Sequence, residues 1–274
     1  MARLVGYFID DALSADQAAD VRARKLGSAF DERALLAALL ASRRPGAIPD
    51  AVLTELEELL AHERDARGRV EASNLPTLAE QGTVTPAFPV ERVAFWRGDL
   101  TRLRADAIVN AANDRMLGCF VPGHACIDNA IHAAAGPRLR EECAEHIRRQ
   151  GAPEPTSHAV ITDGYQLPAA HVIHTVGPIV QGKLTAHDRR LLADSYRAIL
   201  DAAAAHPDIT TVGLCSVSTG VFGFPKKPAA SICLDTIARW FEEHPENSLR
   251  IVISLFAEVD EDAYRAALSE RTSA

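Results

Sequence analysis

The sequence predicts an α/β protein, a sheet covered by helices on both faces, preceded by a helical extension. Three observations carry this. From residue 92 onward, short runs of aliphatic and β-branched residues alternate with longer amphipathic runs, the pattern of a sheet with helices on each side. Residues 1 to about 80 are instead rich in Ala, Leu, Arg and Glu, all good helix formers. Between the two, residues 74–89 hold three prolines and one glycine, the punctuation of a linker or docking segment. We therefore divide the chain into an extension over 1–80 and a main domain over 81–274.

In the extension, Ala18–Leu26 and Glu32–Ala41 read as helices. Arg44-Pro45-Gly46 and Pro49 interrupt, and a longer helix follows from Asp50. Val52, Leu53, Leu56, Leu59 and Leu60 give it an apolar stripe, with acids early and arginines late as its dipole prefers. No polar cluster converges here, so packing on the main domain outweighs a lid or partner-binding role.

In the main domain the expected strands are 92–97, 107–112, 158–162, 171–176, 211–216 and 250–256. The expected helices are Ile127–Ala135, Arg138–Gln150, Ala186–Ala205, Pro228–Glu243 and Glu261–Leu268. Cys143 shares an apolar helix face with Leu139 and Ile147 and is expected in the core. His132 and His174 sit among apolar neighbours and read as satisfied core histidines.

The totals narrow the function. A chain of 274 residues can bury a sizeable core. A formal charge of −8 argues against a nucleic-acid partner bound by neutralising many phosphates. No apolar run reaches the length of a membrane span, and Asp10 and Asp11 break the N-terminal apolar stretch, which makes it a poor signal peptide. Five cysteines is an odd count, so a reduced, cytoplasmic compartment with a metal site is expected rather than a disulfide framework.

Chemistry concentrates in residues 106–136. Cys119, His124 and Cys126 have the spacing C-x4-H-x-C, and thiolates with imidazole suit Zn²⁺ better than Mg²⁺ or Ca²⁺. Three protein ligands would leave a tetrahedral position open for catalysis, whereas a fourth would make the ion structural. Asp128 follows in the first turn of a helix, off its apolar stripe, where it can serve as a helix-start acid or orient a water. Asn110 lies within a buried run and needs hydrogen-bond partners, from protein or ligand. Asn113 is a turn former or a ligand contact.

A second loop, Ser216-Val-Ser-Thr-Gly-Val-Phe-Gly-Phe-Pro225, links a buried strand to a helix. Its small residues can turn backbone N–H groups inward beside a helix N-terminus, which suits a phosphate or diphosphate. The spacing matches neither GxGxxG nor GxxxxGK[ST]. Asp99 either caps a turn or receives an amino group from a base. Phe256, expected at the end of the last strand, either packs in the core or stacks on a base.

The segments Gly98-Asp-Leu-Thr101, Ala107-Ile-Val-Asn-Ala-Ala-Asn113, His174-Thr-Val-Gly-Pro178 and Ser218-Thr-Gly-Val-Phe-Gly-Phe-Pro225 resemble the macrodomain, a three-layer α/β/α fold with a mixed sheet that binds ADP-ribose. Gly118-Cys-Phe-Val-Pro-Gly-His-Ala-Cys-Ile-Asp-Asn129 and the helical extension are similar to its zinc-dependent microbial branch of protein-ADP-ribose hydrolases. The resemblance implies that Asp99, with Leu100 beside it, holds the adenine amino group and that Phe256 stacks on the ring. It implies that Ser218, Thr219, Gly220, Val221, Phe222, Gly223 and Phe224 cradle the diphosphate. Asn110 and Asn113 would line the ribose end, next to Zn²⁺ on Cys119, His124 and Cys126, with Asp128 and Asn113 as the catalytic pair. Relatives often carry a second Cys at the position of Gly123, and Phe224 stands where some have Tyr.

The implied reaction is removal of ADP-ribose from mono-ADP-ribosylated protein, a lipoyl-carrier protein being the inherited expectation for the target. Two alternatives stay open at this point: a reader that binds ADP-ribose without turnover, and a deacetylase of O-acetyl-ADP-ribose.

Overall fold

The structure, a computed structural model, describes residues 1–25, 31–86 and 88–272. The expected end of a helix at Leu26, Ala87 within the 74–89 segment, and the last two residues of the main domain lie outside the described residues.

The extension is a cluster of helices with its own core. Helices α1 (Ala2–Ala12), α2 (Ala15–Lys25), α3 (Glu32–Ser42) and α4 (Asp50–Arg67) meet over Leu4, Phe8, Leu36 and Leu56. Helix α1 has no counterpart among the expected elements. Leu4, Val5, Phe8 and Ile9 are buried on one face, while Asp10 is exposed to solvent, so the acids that spoil a signal peptide do not spoil an amphipathic helix. Asp31 caps α3 by accepting from the backbone N–H groups of Arg33 and Ala34.

After α4, still within the stretch assigned to the extension, the chain already packs on the main domain, with Ala72 and Leu78 in its core. Strand β1 (Val70–Glu71) pairs in parallel with β3 (Leu103–Arg104). The main sheet has six strands: β2 (Val93–Trp96), β4 (Ala107–Ala112), β5 (Ala159–Asp163), β6 (His171–Val176), β7 (Thr211–Leu214) and β8 (Arg250–Ser254), in the order β2-β8-β7-β4-β6-β5. Every pairing is parallel except β5 with β6, which makes the sheet mixed, as expected.

Helices α5 (Ile127–Ala135) and α6 (Pro137–Gln150) form one layer, with α5 against β4 and α6 against β5. Helices α7 (Ala186–Ala205), α8 (Lys226–Glu243) and α9 (Glu258–Thr272) pack side by side in the other. The extension lies outside the first layer, where α3 and α4 touch α5. No helix among the described residues is long and apolar enough to cross a membrane.

Two strands stop before their apolar runs do. The 211–216 run pairs only to Leu214, and the 250–256 run only to Ser254, where its partner β2 ends at Trp96. Because all strands but one are parallel, the segments that follow β2, β4, β6, β7 and β8 leave from one edge of the sheet. That edge is where an open α/β sheet binds its ligand.

Candidate active site

Strand β4 delivers the first functional groups. Asn110 is fully buried, and its Nδ2 donates to Asp128 Oδ1 (2.8 Å) and to His174 Nδ1 (3.1 Å). His174 Nδ1 is thus the acceptor, which leaves Nε2–H to face Thr162 Oγ1 at 3.0 Å. Burial pushes the His174 pKa down to about 3, so the ring is neutral at physiological pH. The Asn110 amide nitrogen therefore finds its partners in protein groups behind Asp128, while its buried Oδ1 has no hydrogen-bond partner among the described residues.

Asp128 is the centre of this arrangement. It sits in the first turn of α5, only 5% exposed. Its second oxygen lies 3.4 Å from Asn113 Nδ2. Burial raises its pKa to about 6, opposed by the Asn110 hydrogen bond and the positive charge of Arg140. His132 is buried one helical turn on, as expected, but its Nε2 is 3.6 Å from Asp128 Oδ1 and neither ring nitrogen is satisfied.

The loop between β4 and α5 folds back through left-handed residues. Gly118 (φ 82°), Phe120 (φ 53°) and Gly123 (φ 72°) adopt this conformation, which a Cys at 123 would adopt only under strain. Asn113 serves as turn former as well: its Nδ2 donates to Gly118 O (2.9 Å) and its Oδ1 accepts from Arg115 N–H (3.0 Å).

The reversal gathers Cys119, His124 and Cys126, whose ligand atoms all lie within 4.8 Å of one another. This is the one such group among the described residues. The buried Nδ1 of His124 has no protein partner among them, and two thiols with an imidazole match a soft divalent cation. Cys126 also caps α5, its Sγ accepting from Asn129 N–H (3.3 Å), and Asn129 Nδ2 donates to His124 O (3.0 Å). Asn129 thus orders two members of the cluster, a role that its sequence position alone does not signal. Cys143 is in the core, as expected.

On the neighbouring strand, the loop after β7 offers backbone. The N–H groups of Thr219, Gly220, Val221 and Phe222 donate to no other group among the described residues. The loop is closed from within, by Phe224 N–H on Ser218 O (3.0 Å) and Gly223 N–H on Gly220 O (3.0 Å). Ser218 (φ 65°) and Gly223 (φ 70°) turn it in the left-handed region. Ser218 Oγ is buried without a hydrogen-bond partner. The segment after β6 approaches closely: a Cβ on Gly177 would fall 2.1 Å from Ser218 Oγ. Helix α8 starts just beyond, at Lys226 rather than at the expected Pro228, since proline is tolerated in a first turn. The side chains of Leu100 and Phe224 are in the core, so only their backbone is available to a ligand.

At the far end, Asp99 Oδ1 accepts from Thr101 N–H (2.9 Å) and Oγ1–H (2.8 Å), the capping role read for it. Phe256 lies past the end of β8 and is 73% exposed, which rules out core packing and leaves its ring free to stack.

Fold and site together define the class: the chain belongs to the macrodomain family. The family model for the Macro domain matches residues 109–233. Among curated relatives, a protein from Treponema medium named Protein-ADP-ribose hydrolase is 47% identical over 174 residues, 64% of this chain and 66% of that one. A protein of the same name from Staphylococcus aureus is 42% identical over 180 residues, 65% of this chain and 67% of its own length. The match thus spans about two thirds of these relatives.

Two solved structures are also similar. One is a macrodomain of Trypanosoma brucei in complex with ADP-ribose (TM-score 0.62, 31% identity, covering 90% of this chain and 95% of that one). The other is an Oceanobacillus iheyensis macrodomain variant with ADPR (TM-score 0.58, 36% identity, covering 65% and 92%).

Proposed function

We propose that this macrodomain is a hydrolase that removes ADP-ribose from mono-ADP-ribosylated protein side chains, with Zn²⁺ held by Cys119, His124 and Cys126. The observation that carries the reading is the buried carboxylate of Asp128. Asn110 and Asn113 hold it two residues from a cation-ligand cluster, at the sheet edge where the free amides of the β7 loop also lie.

The ADP-ribose would lie along this edge. Asp99 would accept the adenine amino group on Oδ2, since Oδ1 is engaged by Thr101, with Phe256 stacked on the ring. The amides of Thr219–Phe222 and the N-terminus of α8 would neutralise the diphosphate. The distal ribose would then reach Asn113 and Asp128. The ion, when bound, supplies a Lewis acid for a ribose hydroxyl or a water.

Asp128 would take the proton of the water whose oxygen bonds to C1″ while the bond from C1″ to the side chain breaks. The proton then passes to the departing side-chain atom. Asn110 and Asn113 keep the carboxylate from turning away, and neutral His174 fixes the Asn110 amide. The protein substrate is of the kind named for the relatives, and a lipoyl-carrier protein is one candidate.

The test uses metal-replete chain and a mono-ADP-ribosylated protein. The expected products are free ADP-ribose and the unmodified side chain. Saturable ADP-ribose binding with no release would make the chain a reader. Release of acetate from O-acetyl-ADP-ribose alone would make it a deacetylase.

A further inference from the structure

One residue joins the helical extension to the loop that carries the cation-ligand cluster. Arg140, on α6, is 6% exposed. Its Nη1 donates to Leu40 O (2.8 Å) and Arg43 O (2.5 Å). Both carbonyls lie at the C-terminal end of α3, among the groups a helix leaves unpaired. The same guanidinium lies over the ring of Phe120, 4.9 Å from its centroid, and Arg44 from the extension comes within 5.6 Å of that ring. Phe120 directly follows Cys119 and holds a left-handed φ of 53°, an uncommon backbone for a bulky residue. The Gly118 backbone is walled by the same side chain, since a Cβ there would come within 3.2 Å of an Arg140 nitrogen.

The joint is itself well tied. Arg43 pairs through Nε with Asp11 Oδ2 (2.5 Å) and through Nη1 with Glu141 Oε1 (2.9 Å). Glu141 also accepts from Gly46 N–H (2.9 Å). Residues of α1, α3 and the turn after it therefore converge on α6 where Arg140 leaves it. Beyond Phe120 the loop tip at Val121, Pro122 and Gly123 is exposed. Among the described residues, Arg140 is the one side chain that bonds the extension's backbone and contacts this loop at both Gly118 and Phe120.

We propose that Arg140 is a positioning residue for the Gly118–Cys126 loop, and that the helical extension takes part in the reaction by holding Arg140 in place. A guanidinium is needed because the group must donate to two carbonyls and present a flat face to Phe120, which an ammonium cannot do together. The effect on turnover rests on the hydrolase reading; the effect on the loop does not.

The experiment compares the full chain with its Arg140→Lys, Phe120→Leu and doubly substituted forms. Hydrogen exchange of the 118–126 amides is followed in the metal-free protein, with cobalt(II) binding read from its thiolate absorption bands. Exchange of these amides is expected to quicken, and cobalt affinity and kcat to fall, by about tenfold in each single variant, the scale of other groups that orient metal ligands. ADP-ribose Kd and exchange over 218–224 should stay within about twofold, and the double variant should add little to either single one, as residues acting together do.

Loop exchange within about twofold of wild type in Phe120→Leu, whose ring is partly exposed so that folding is retained, overturns the proposal. So does full additivity in the double variant. No ADP-ribose release by the wild-type chain, together with the expected quickening of loop exchange in the variants, would refute the hydrolase reading and leave the positioning role standing.

Discussion

The loop after β4 and the loop after β7 leave neighbouring strands at one sheet edge, yet they are made of different material. The first is a set of side chains: Asn113 on Gly118 O, Asn129 on Cys126 and His124, and Asn110 and Asn113 on Asp128. The second is backbone, closed by its own Ser218 and Gly220 carbonyls and offering bare amides. In the proposed reading, side chains of distinct chemistry suit the end where bonds would change, and amides at fixed positions suit the end where the diphosphate would be gripped. The two loops should therefore fail differently when altered, one in turnover and the other in affinity.

The largest effect after Asp128 itself is expected from Cys126→Ala. It removes a thiol of the cluster together with the cap of α5, so turnover should fall by about two orders of magnitude or more. Stability should drop by about 1 kcal/mol, as for a lost helix cap. Metal analysis, ADP-ribose calorimetry and thermal melting check this. Retained turnover in a variant that binds no metal would detach the cluster from the chemistry.

Next is Asn110→Ala, which strands Asp128 and His174. We expect about tenfold to a hundredfold loss in kcat and about 1–3 kcal/mol of destabilisation from groups left buried and unpaired. Initial rates and denaturant melts measure both, and an unchanged kcat would show that Asp128 orients itself.

Gly223→Ala addresses the backbone loop. The left-handed φ of 70° and the Val180 carbonyl 3.2 Å from a new Cβ both oppose it, costing roughly 1–2 kcal/mol. ADP-ribose affinity should weaken about tenfold while single-turnover kcat at saturation holds. A drop in kcat with Kd unchanged would erase the division between the loops.

The last effect bears on stability and leaves the two loops untouched. His174 has a folded pKa of about 3 against an ordinary 6.5, so the folded chain refuses a proton that the unfolded chain accepts between those values. The His174 contribution to stability is full above pH 6.5 and falls by about 1.4 kcal/mol per pH unit as pH drops toward about 3, while Asp128, raised to about 6 by burial, works in the opposite direction below about pH 6. Denaturant midpoints at pH 7.5 and 5.0 read this slope, which should shrink in His174→Gln.

The same contrast explains what the sequence disclosed. Strands 107–112 and 171–176 and helices Ile127–Ala135 and Ala186–Ala205 appear with the expected bounds, because their periodic runs end at polar or small residues. The ends of β7 and β8 were set by where the partner strand stops, which no local pattern records. Cys119, His124 and Cys126 stood out because three soft ligands in eight positions are rare by chance. Arg140 did not, since its meaning comes from α3, about a hundred residues earlier in the chain. Phe256 was ambiguous because an aromatic after an apolar run serves a core as readily as a cleft.

The division between the loops rests most directly on Asp128. Single-turnover release of ADP-ribose from a modified protein by Asp128→Ala, with ADP-ribose Kd measured on the same preparation, tests it. We predict release slower by about two to four orders of magnitude with Kd within a few-fold of wild type. Near-wild-type release, or equal losses in release and binding, would contradict it.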